Sequence, residues 1–353
     1  MTDQTGRSVV VDAARDPLWG QLVAKRGTSV FQSQPWIAVL SQSYPFPIRA
    51  QVLLDGTERP VAGVAYAEVD DVQGARLVSL PFSDFCDPIL TADEHWPVLV
   101  ESLLEQRRPL HMKCLHSTVA LSDPLFHTVG RARWHGVDLN RTEEAIWEGL
   151  HSSARRAVRK ATTDGVEVKV ARDRADLRAF FELHLRVRKR KYGLLAQPFG
   201  FFERIWEHFL DGHRGALLLG ELEGRVVSGV LFLEWQDTLY YKFNASDDAF
   251  LASRPNDRVL WEGIRYGCER GLSALDFGLT DWDHEGLIRY KRKYATEERI
   301  ITAIQHDGDE QQGAARGRQA RQLVRQVAGL LADESVPDEV SERAGDLLYR
   351  YFT

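Results

Sequence analysis

The sequence predicts an α/β protein of two domains with a helical tail, at residues 1–145, 146–306 and 307–353. Three observations carry that expectation. At 353 residues the chain exceeds what one hydrophobic core usually serves, and each half is long enough to bury its own. Short valine- and leucine-rich runs alternate with segments of helical apolar period. Beyond residue 210, three β-runs joined by tight turns are followed by helix, strand, helix and strand, an order that gives a mixed, largely antiparallel sheet.

In the first domain, Pro17 to Arg26 reads as a helix, and Thr28 to Leu40 as a turn leading into another. Val61 to Val69 and Ala75 to Leu80 are strands, the second bounded by Gly74 and Pro81. Pro81 to Pro88 is a loop with two carboxylates, Asp84 and Asp87. Glu94 to Arg107 places Trp96, Leu99, Val100, Leu103 and Leu104 at helical spacing. Leu110 to Leu115 and Arg133 to Leu139 are further strands.

The second domain opens with Thr142 as the N-cap of a helix, Glu143 and Glu144 complementing its dipole, and Gly165 ending it. Arg155, Arg156, Arg159 and Lys160 share one face of that helix. Val166 to Val170 is a strand, and Asp176 to Arg190 and Phe199 to Leu210 are helices. Three strands follow, Ala216 to Leu222, Val226 to Trp235 and Thr238 to Asn244, turning at Glu223-Gly224-Arg225 and Gln236-Asp237. A helix runs from about Asp257 to Arg270 with Gly271 as terminator.

Leu275 to Glu298 concentrates the chemistry. A short apolar strand, Ala274 to Phe277, stops at Gly278. A polar turn with Asp281 and Asp283 follows, then a short helix carrying Tyr290, Lys291, Arg292 and Lys293. Carboxylates at the carboxyl end of a strand, facing a cationic helix, are a common site in α/β proteins; a salt-bridged surface turn is the plain alternative. From Gln311 onward two helices split at Pro337, with Leu347, Leu348, Tyr349 and Phe352 docking onto the body.

Hydrophobic content of 44% and charged content of 27% are ordinary for a soluble globular chain. No apolar run approaches the ~18 residues of a membrane span. The opening Met-Thr-Asp-Gln-Thr-Gly-Arg does not read as a secretion signal. Three cysteines, far apart and without Cys-x-x-Cys, argue against a disulfide framework or a metal site and for a reducing cytoplasm. The net charge of −6 hides a basic block: residues 151–193 hold 13 Lys and Arg against 5 Asp and Glu. Such a block suits phosphate or RNA, or forms solvated helix faces.

Five segments occur in one order: Ser153 to Ala161, Tyr240 to Ser246, Arg254-Pro255-Asn256, Leu275-Asp276-Phe277-Gly278, and Gly286 to Lys291. Together they resemble the Fem-type branch of the GNAT acyltransferase superfamily, which includes peptidyltransferases that use aminoacyl-tRNA. Gln32-Ser33 with Trp36, and Pro81 with Asp84-Phe85, resemble the family's first domain. The resemblance implies two tandem GNAT-like domains, the first on the acceptor side and divergent, the second holding the main site.

It also implies roles. Tyr290-Lys291 matches an aromatic–lysine pair in which the lysine stabilises the tetrahedral intermediate, and Asp84 matches a loop acid that orients or deprotonates the acceptor amine. Arg155 or Arg156 corresponds to an arginine near a diphosphate-bearing acceptor. Tyr241 lies where the family has a pocket aromatic. From the residues themselves, Asn244, Asp276 and Asp281 complete the substrate-binding set, and Asp276, Asp281 and solvent stand beside Asp84 as alternatives for removing the amine proton. Arg159, Lys160, Arg188, Arg190 and Lys293 are the candidate tRNA or phosphate contacts. Around Trp36 the peptidoglycan enzymes carry lysines that Ile37 to Leu40 lacks, which counts against a nucleotide-linked cell-wall precursor as acceptor.

Forming an amide from an activated ester needs a neutral amine, a placed carbonyl and relief for the oxyanion. No Gly-x-Ser-x-Gly elbow and no adjacent Cys–His pair occur, so direct transfer within a ternary complex is expected. No tightly bound cofactor is implied; the donor is aminoacyl-tRNA or, alternatively, acyl-CoA or a carrier-bound acyl group. Asn244 to Asn256 contains no glycine, and side chains there would obstruct the close backbone approach that a CoA pyrophosphate uses. The partners expected are charged tRNA and a small amine. A non-catalytic anion- or RNA-binding module is the alternative from another class. His184, His208 and His284 are expected to have structural or surface roles, and Phe199, Phe201, Phe202, Trp206 and Phe209 to be core.

Overall fold

A computed structural model describes residues 6–25, 27–308 and 314–353. Along the chain run β1 (Arg7–Asp12), α1 (Pro17–Val23), α2 (Gln34–Ser43), β2 (Ile48–Leu54), β3 (Pro60–Asp71), β4 (Gly74–Val78), β5 (Ile89–Leu90), α3 (His95–Leu104), β6 (Leu110–Cys114), α4 (Thr118–Ser122) and β7 (His127–Asp138). Next come α5 (Glu143–Gly149), α6 (Ser152–Thr163), β8 (Glu167–Val170), α7 (Arg174–Arg186), α8 (Phe199–Ile205), β9 (Gly215–Leu222), β10 (Arg225–Trp235), β11 (Thr238–Ser246), α9 (Pro255–Glu269), β12 (Ala274–Asp281), α10 (Glu285–Lys291) and β13 (Glu297–His306). The tail is α11 (Ala314–Leu331) and α12 (Asp338–Leu348). The predicted helix end at Arg26 and the predicted tail start at Gln311 lie outside the described residues.

Two compact units emerge: one from Met1–Ala132, Ile300–Val324 and Arg350–Thr353, the other from Arg133–Arg299 and Arg325–Tyr349. In the first, strand order is β1-β2-β3-β4-β6-β13, with β5 on β3. Neighbours are antiparallel except β4 and β6, which run parallel. Trp96, Leu99 and Leu103 of α3 pack with Val64, Tyr66 and Met112 in its core. Trp19 and Trp36 are fully buried, and each large apolar side chain of this kind contributes about 2–3 kcal/mol.

In the second unit the order is β7-β12-β11-β10-β9-β8. β8 to β11 are antiparallel, and β11 runs parallel to β12, Tyr240 opposite Asp276. The core gathers Val158 of α6, Val259 and Ile264 of α9, and Phe232, Leu239 and Leu275 of the sheet. Gly263 lets α9 lie flat on that sheet, because a Cβ there would run into the Phe232 ring. The architecture is α/β with largely antiparallel sheets, as expected.

Several local expectations need correction. The helix expected from Thr142 to Gly165 is two helices: Leu150 is extended (φ −63°, ψ 146°) and His151 caps α6 by accepting from Ser153 N. β12 does not stop at Gly278 but continues to Asp281. β1 and β2 were not expected; neither has a clean alternation, since β2 is buried at nearly every position. Val187–Lys191 and Trp206–Leu210 are π-turns that continue α7 and α8. Leu347 does not dock: it is 63% exposed, and α12 buries Ser341, Ala344 and Gly345 instead. Phe201, Phe202, Trp206 and Phe209 are core, as the spacing predicted.

Candidate active site

The centre of the second unit is a kink in β12. Gly278 adopts φ 64°, a left-handed conformation open to residues without a Cβ. The Asp276 carboxylate steadies it, accepting from Gly278 N at 2.6 Å. Carbonyls in a regular strand alternate in direction, but here three successive ones converge on one cation. Lys291 Nζ donates to Phe277 O at 2.7 Å, Leu279 O at 3.3 Å and Gly278 O at 3.4 Å. Only 3% of Lys291 is exposed, and a buried ammonium needs partners of this kind to keep its charge.

The end of α10 is clamped next door. Arg292 donates to both carboxylate oxygens of Glu298, at 2.7 and 2.9 Å, and Arg133 donates to the same group. These arginines, Arg292 above all, hold the Glu298 carboxyl down at about 2. His135 lies 3.5 Å from Glu298, fully buried and without a hydrogen bond. Burial, and then the Lys291 charge, push its pKa down to about 4, so the ring is neutral.

Tyr290 joins a buried aromatic–acid cluster. Tyr294 Oη donates to Asp257 Oδ1 at 2.6 Å, and the Tyr290 and Tyr294 rings are 5.6 Å apart. Tyr241 packs edge-on against Phe277 at 5.4 Å, and its hydroxyl bonds the Asn244 side chain. Burial raises the pKa of all three phenols, and it lifts the Asp257 carboxyl despite the Tyr294 bond. Asp257, 6% exposed, lies in the first turn of α9. Sequence reading missed both Asp257 and Tyr294. The available signal was the four-residue step from Tyr290 to Tyr294, which puts both rings on one side of the chain's turn.

The remaining predicted residues divide. Asp276 is inside the kink, whereas Asp281 stands exposed at the end of β12. Arg155 donates to Trp147 O at 3.4 Å and to Glu148 O, so it finishes α5. Arg156 is exposed and reaches Ser152 Oγ at 3.2 Å; Lys160 pairs with Asp164 at 2.7 Å; Arg159 lies over Trp147 at 5.6 Å. Arg188 donates to Leu195 O at 3.3 Å, while Arg190 is exposed. Lys293 Nζ lies 5.7 Å from the Tyr290 ring centre. His184, in a cage with Phe180, Phe202 and Phe243, is structural as expected.

In the first unit, the loop carrying Asp84 is pinned at both ends. Trp36 Nε1 donates to Ser83 Oγ at 2.9 Å, and Gln32 Nε2 to Asp87 O at 2.6 Å. The Gln32-Ser33 and Trp36 motif is therefore a clamp on this loop. Asp87 is structural, accepting from the amides of Leu115, His116 and Ser117. Asp84 is half-buried. Among the described residues, no group of His, Cys, Asp and Glu could hold a metal, and no helix is long and apolar enough to cross a membrane.

Residues 150–292 match the family described as acetyltransferase (GNAT) domain. The lipid II:glycine glycyltransferases of two Staphylococcus epidermidis strains are 34% identical over 82 residues, 22% of this chain and 20% of theirs. The match thus spans about a fifth of the length of those curated relatives. Among solved structures, FemX superposes with a TM-score of 0.66 at 14% identity, covering 90% of this chain and 100% of that one. L-PGS from Bacillus licheniformis gives 0.56 at 13%, covering 90% and 98%. A tandem GNAT protein from the clavulanic acid biosynthesis pathway gives 0.55 at 12%, covering 86% and 100%. These likenesses show the fold, and the match over residues 150–292 shows that this stretch is similar to a GNAT acetyltransferase domain.

Proposed function

We propose that the chain is an aminoacyltransferase that forms an amide by direct transfer, from aminoacyl-tRNA to the amine of a small molecule or precursor. The observation that carries this reading is the Lys291 ammonium, fixed at the β12 kink beside Tyr290. The acceptor nitrogen attacks the ester carbonyl, the carbon–oxygen bond to the tRNA ribose breaks, and the amine proton leaves with the ribose hydroxyl as its final destination. Lys291 faces the negative charge that appears on the carbonyl oxygen, and Asp84 on the acceptor side takes or orients the amine proton. Loss of one such oxyanion contact costs about 2.7–4 kcal/mol.

The donor assignment is supported by the α9 end of the unit. A CoA pyrophosphate would seat at a glycine-rich turn opening a helix. Here Asn244 to Asn256 has no glycine, and the first turn of α9 already holds the buried Asp257 carboxyl. The exposed Arg156, Arg159, Lys160 and Arg190 suit phosphates of a tRNA stem. The glycyltransferase relatives support an aminoacyl donor, and the free Cys86, Cys114 and Cys268 suit a reducing cytoplasm. We assign the acceptor to the 1–145 domain and the transfer site to 146–306.

A purely structural Lys291 is the competing reading, favoured by its near-complete burial under three carbonyls. The deciding experiment incubates the protein with charged tRNA pools or acyl-CoAs, each with candidate amines, and detects products by mass. Amide product from charged tRNA, formed about a hundredfold or more slowly by Lys291→Met, is the expected result. Product from acyl-CoA alone would overturn the donor assignment, and none from either would leave a binding module.

A further inference from the structure

The first unit holds a cavity that the proposed transfer chemistry does not use. It measures about 170 Å³, roughly tenfold the ~10–15 Å³ that seats one water. Its floor is the parallel pair β4 and β6, where Val78 lies opposite His111. The two-residue strand period puts Arg76 and Val78 of β4, and His111 and Lys113 of β6, on that one face. Arg321 of α11 also lines it. Its lining holds three cations, Arg76, Lys113 and Arg321, and no carboxylate side chain among the described residues.

Arg76 is the telling member. It is 4% exposed. Its Nη1 and Nη2 donate to Asp71 at 2.9 and 3.1 Å, and Nη2 also to Thr353 Oγ1 at 2.5 Å. Its Nε is buried and makes no hydrogen bond, an arrangement proteins seldom keep without a use. The rim adds a second oddity. Leu80 and Phe82, on either side of Pro81, both adopt left-handed backbone, φ 42° and 60°. Such strain in non-glycine residues gathers at ligand-binding loops, and this loop goes on to Asp84.

We propose that this cavity binds an oxyanion, carboxylate or phosphate, carried by the amine acceptor, anchoring it by its acid group while its amine meets Asp84. This rests on the proposed transfer reaction for the identity of its ligand but not for its test. Calorimetry on the full chain at constant ionic strength, titrating sodium phosphate, sodium acetate or sodium chloride, reads the site without any donor. Expected is saturable binding of phosphate or acetate but not of chloride, the preferred ion naming the acid group. Arg321→Gln and Lys113→Met, both at exposed positions, should each weaken it at least fivefold, while Lys291→Met leaves it unchanged. No saturable binding of either oxyanion, or affinities untouched in both cavity variants, would overturn the site. A protein that binds phosphate yet transfers nothing loses the proposed activity and keeps this cavity; one that transfers yet binds no oxyanion loses only the cavity.

Discussion

Lys291 Nζ lies 2.7 Å from the carbonyl oxygen of Phe277, so the cation is anchored on the carbonyls of the β12 kink itself. That geometry separates two consequences of removing it. Lys291→Met should lower the transfer rate by about 10²–10³ and cost about 1–3 kcal/mol of stability, because buried carbonyls lose their donor. Lys291→Arg should not rescue transfer, since a planar fork cannot aim at three converging carbonyls as a compact ammonium does. Single-turnover assays and urea unfolding measure the two effects. Transfer at the wild-type rate in Lys291→Met would leave the residue only a structural role.

Much of this was legible in the sequence, and the failures have physical causes. Element type and order were readable in the second unit because β9 to β11 are joined by turns that need Gly224 or short polar pairs. The Tyr290-Lys291 pair was singled out by its resemblance to the Fem-type aromatic–lysine pair, since the charges around it fitted a salt-bridged surface turn equally well. The kink did not: a glycine after an apolar strand ordinarily marks a stop, and only the Asp276 and Lys291 bonds let β12 run on through Gly278. Arg155 was read as a ligand group because spacing reports which face a side chain shares. It cannot report that the preceding helix ends at Gly149 with carbonyls for Arg155 to take. Arg76 and Asp257 lay in segments without periodic charge, and only tertiary burial makes them notable.

Asp257 gives a pH signature of opposite sign to most carboxylates. Burial holds its folded pKa above the ordinary value near 3.8, so above that value the folded state holds its proton longer than the unfolded chain does. Stability from this group is present at low pH and lost as pH rises through the raised pKa. Asp257→Asn keeps an acceptor for Tyr294 and removes the charge that must otherwise be buried. Melting curves should show the variant gaining on wild type as pH climbs from 4 to 8. A variant less stable than wild type at pH 8 would contradict this account.

Glu298 behaves in the ordinary direction. Arg292 and Arg133 hold its pKa down at about 2 against an ordinary 4.5, so its contribution is present above 4.5 and lost as pH falls through 2. Glu298→Gln should cost about 1–2 kcal/mol at pH 7, less than a buried pair would, because 28% of the side chain remains exposed. The difference from wild type should vanish near pH 2 in denaturant titrations. A penalty independent of pH would mean that packing, and not charge, holds the end of α10.

Arg155 and Arg156 are neighbours in sequence with different work, and salt dependence separates them. Arg155 spends its guanidinium on the α5 carbonyls of Trp147 and Glu148. Arg155→Gln should therefore cost about 1 kcal/mol of stability and leave tRNA affinity nearly as steep in salt as before. Arg156 and Arg159 are exposed, and each that touches a phosphate releases a counterion on binding. Arg156→Gln and Arg159→Gln should each flatten the plot of log K against log salt concentration by about 0.7–0.9, with little change in melting temperature. Filter binding of a charged tRNA between 50 and 200 mM salt, a range chosen to span about a decade or more of affinity, measures the slopes. If neither substitution alters the slope, the exposed face of α6 is only a solvated surface and the tRNA contact has to be sought elsewhere in the basic block.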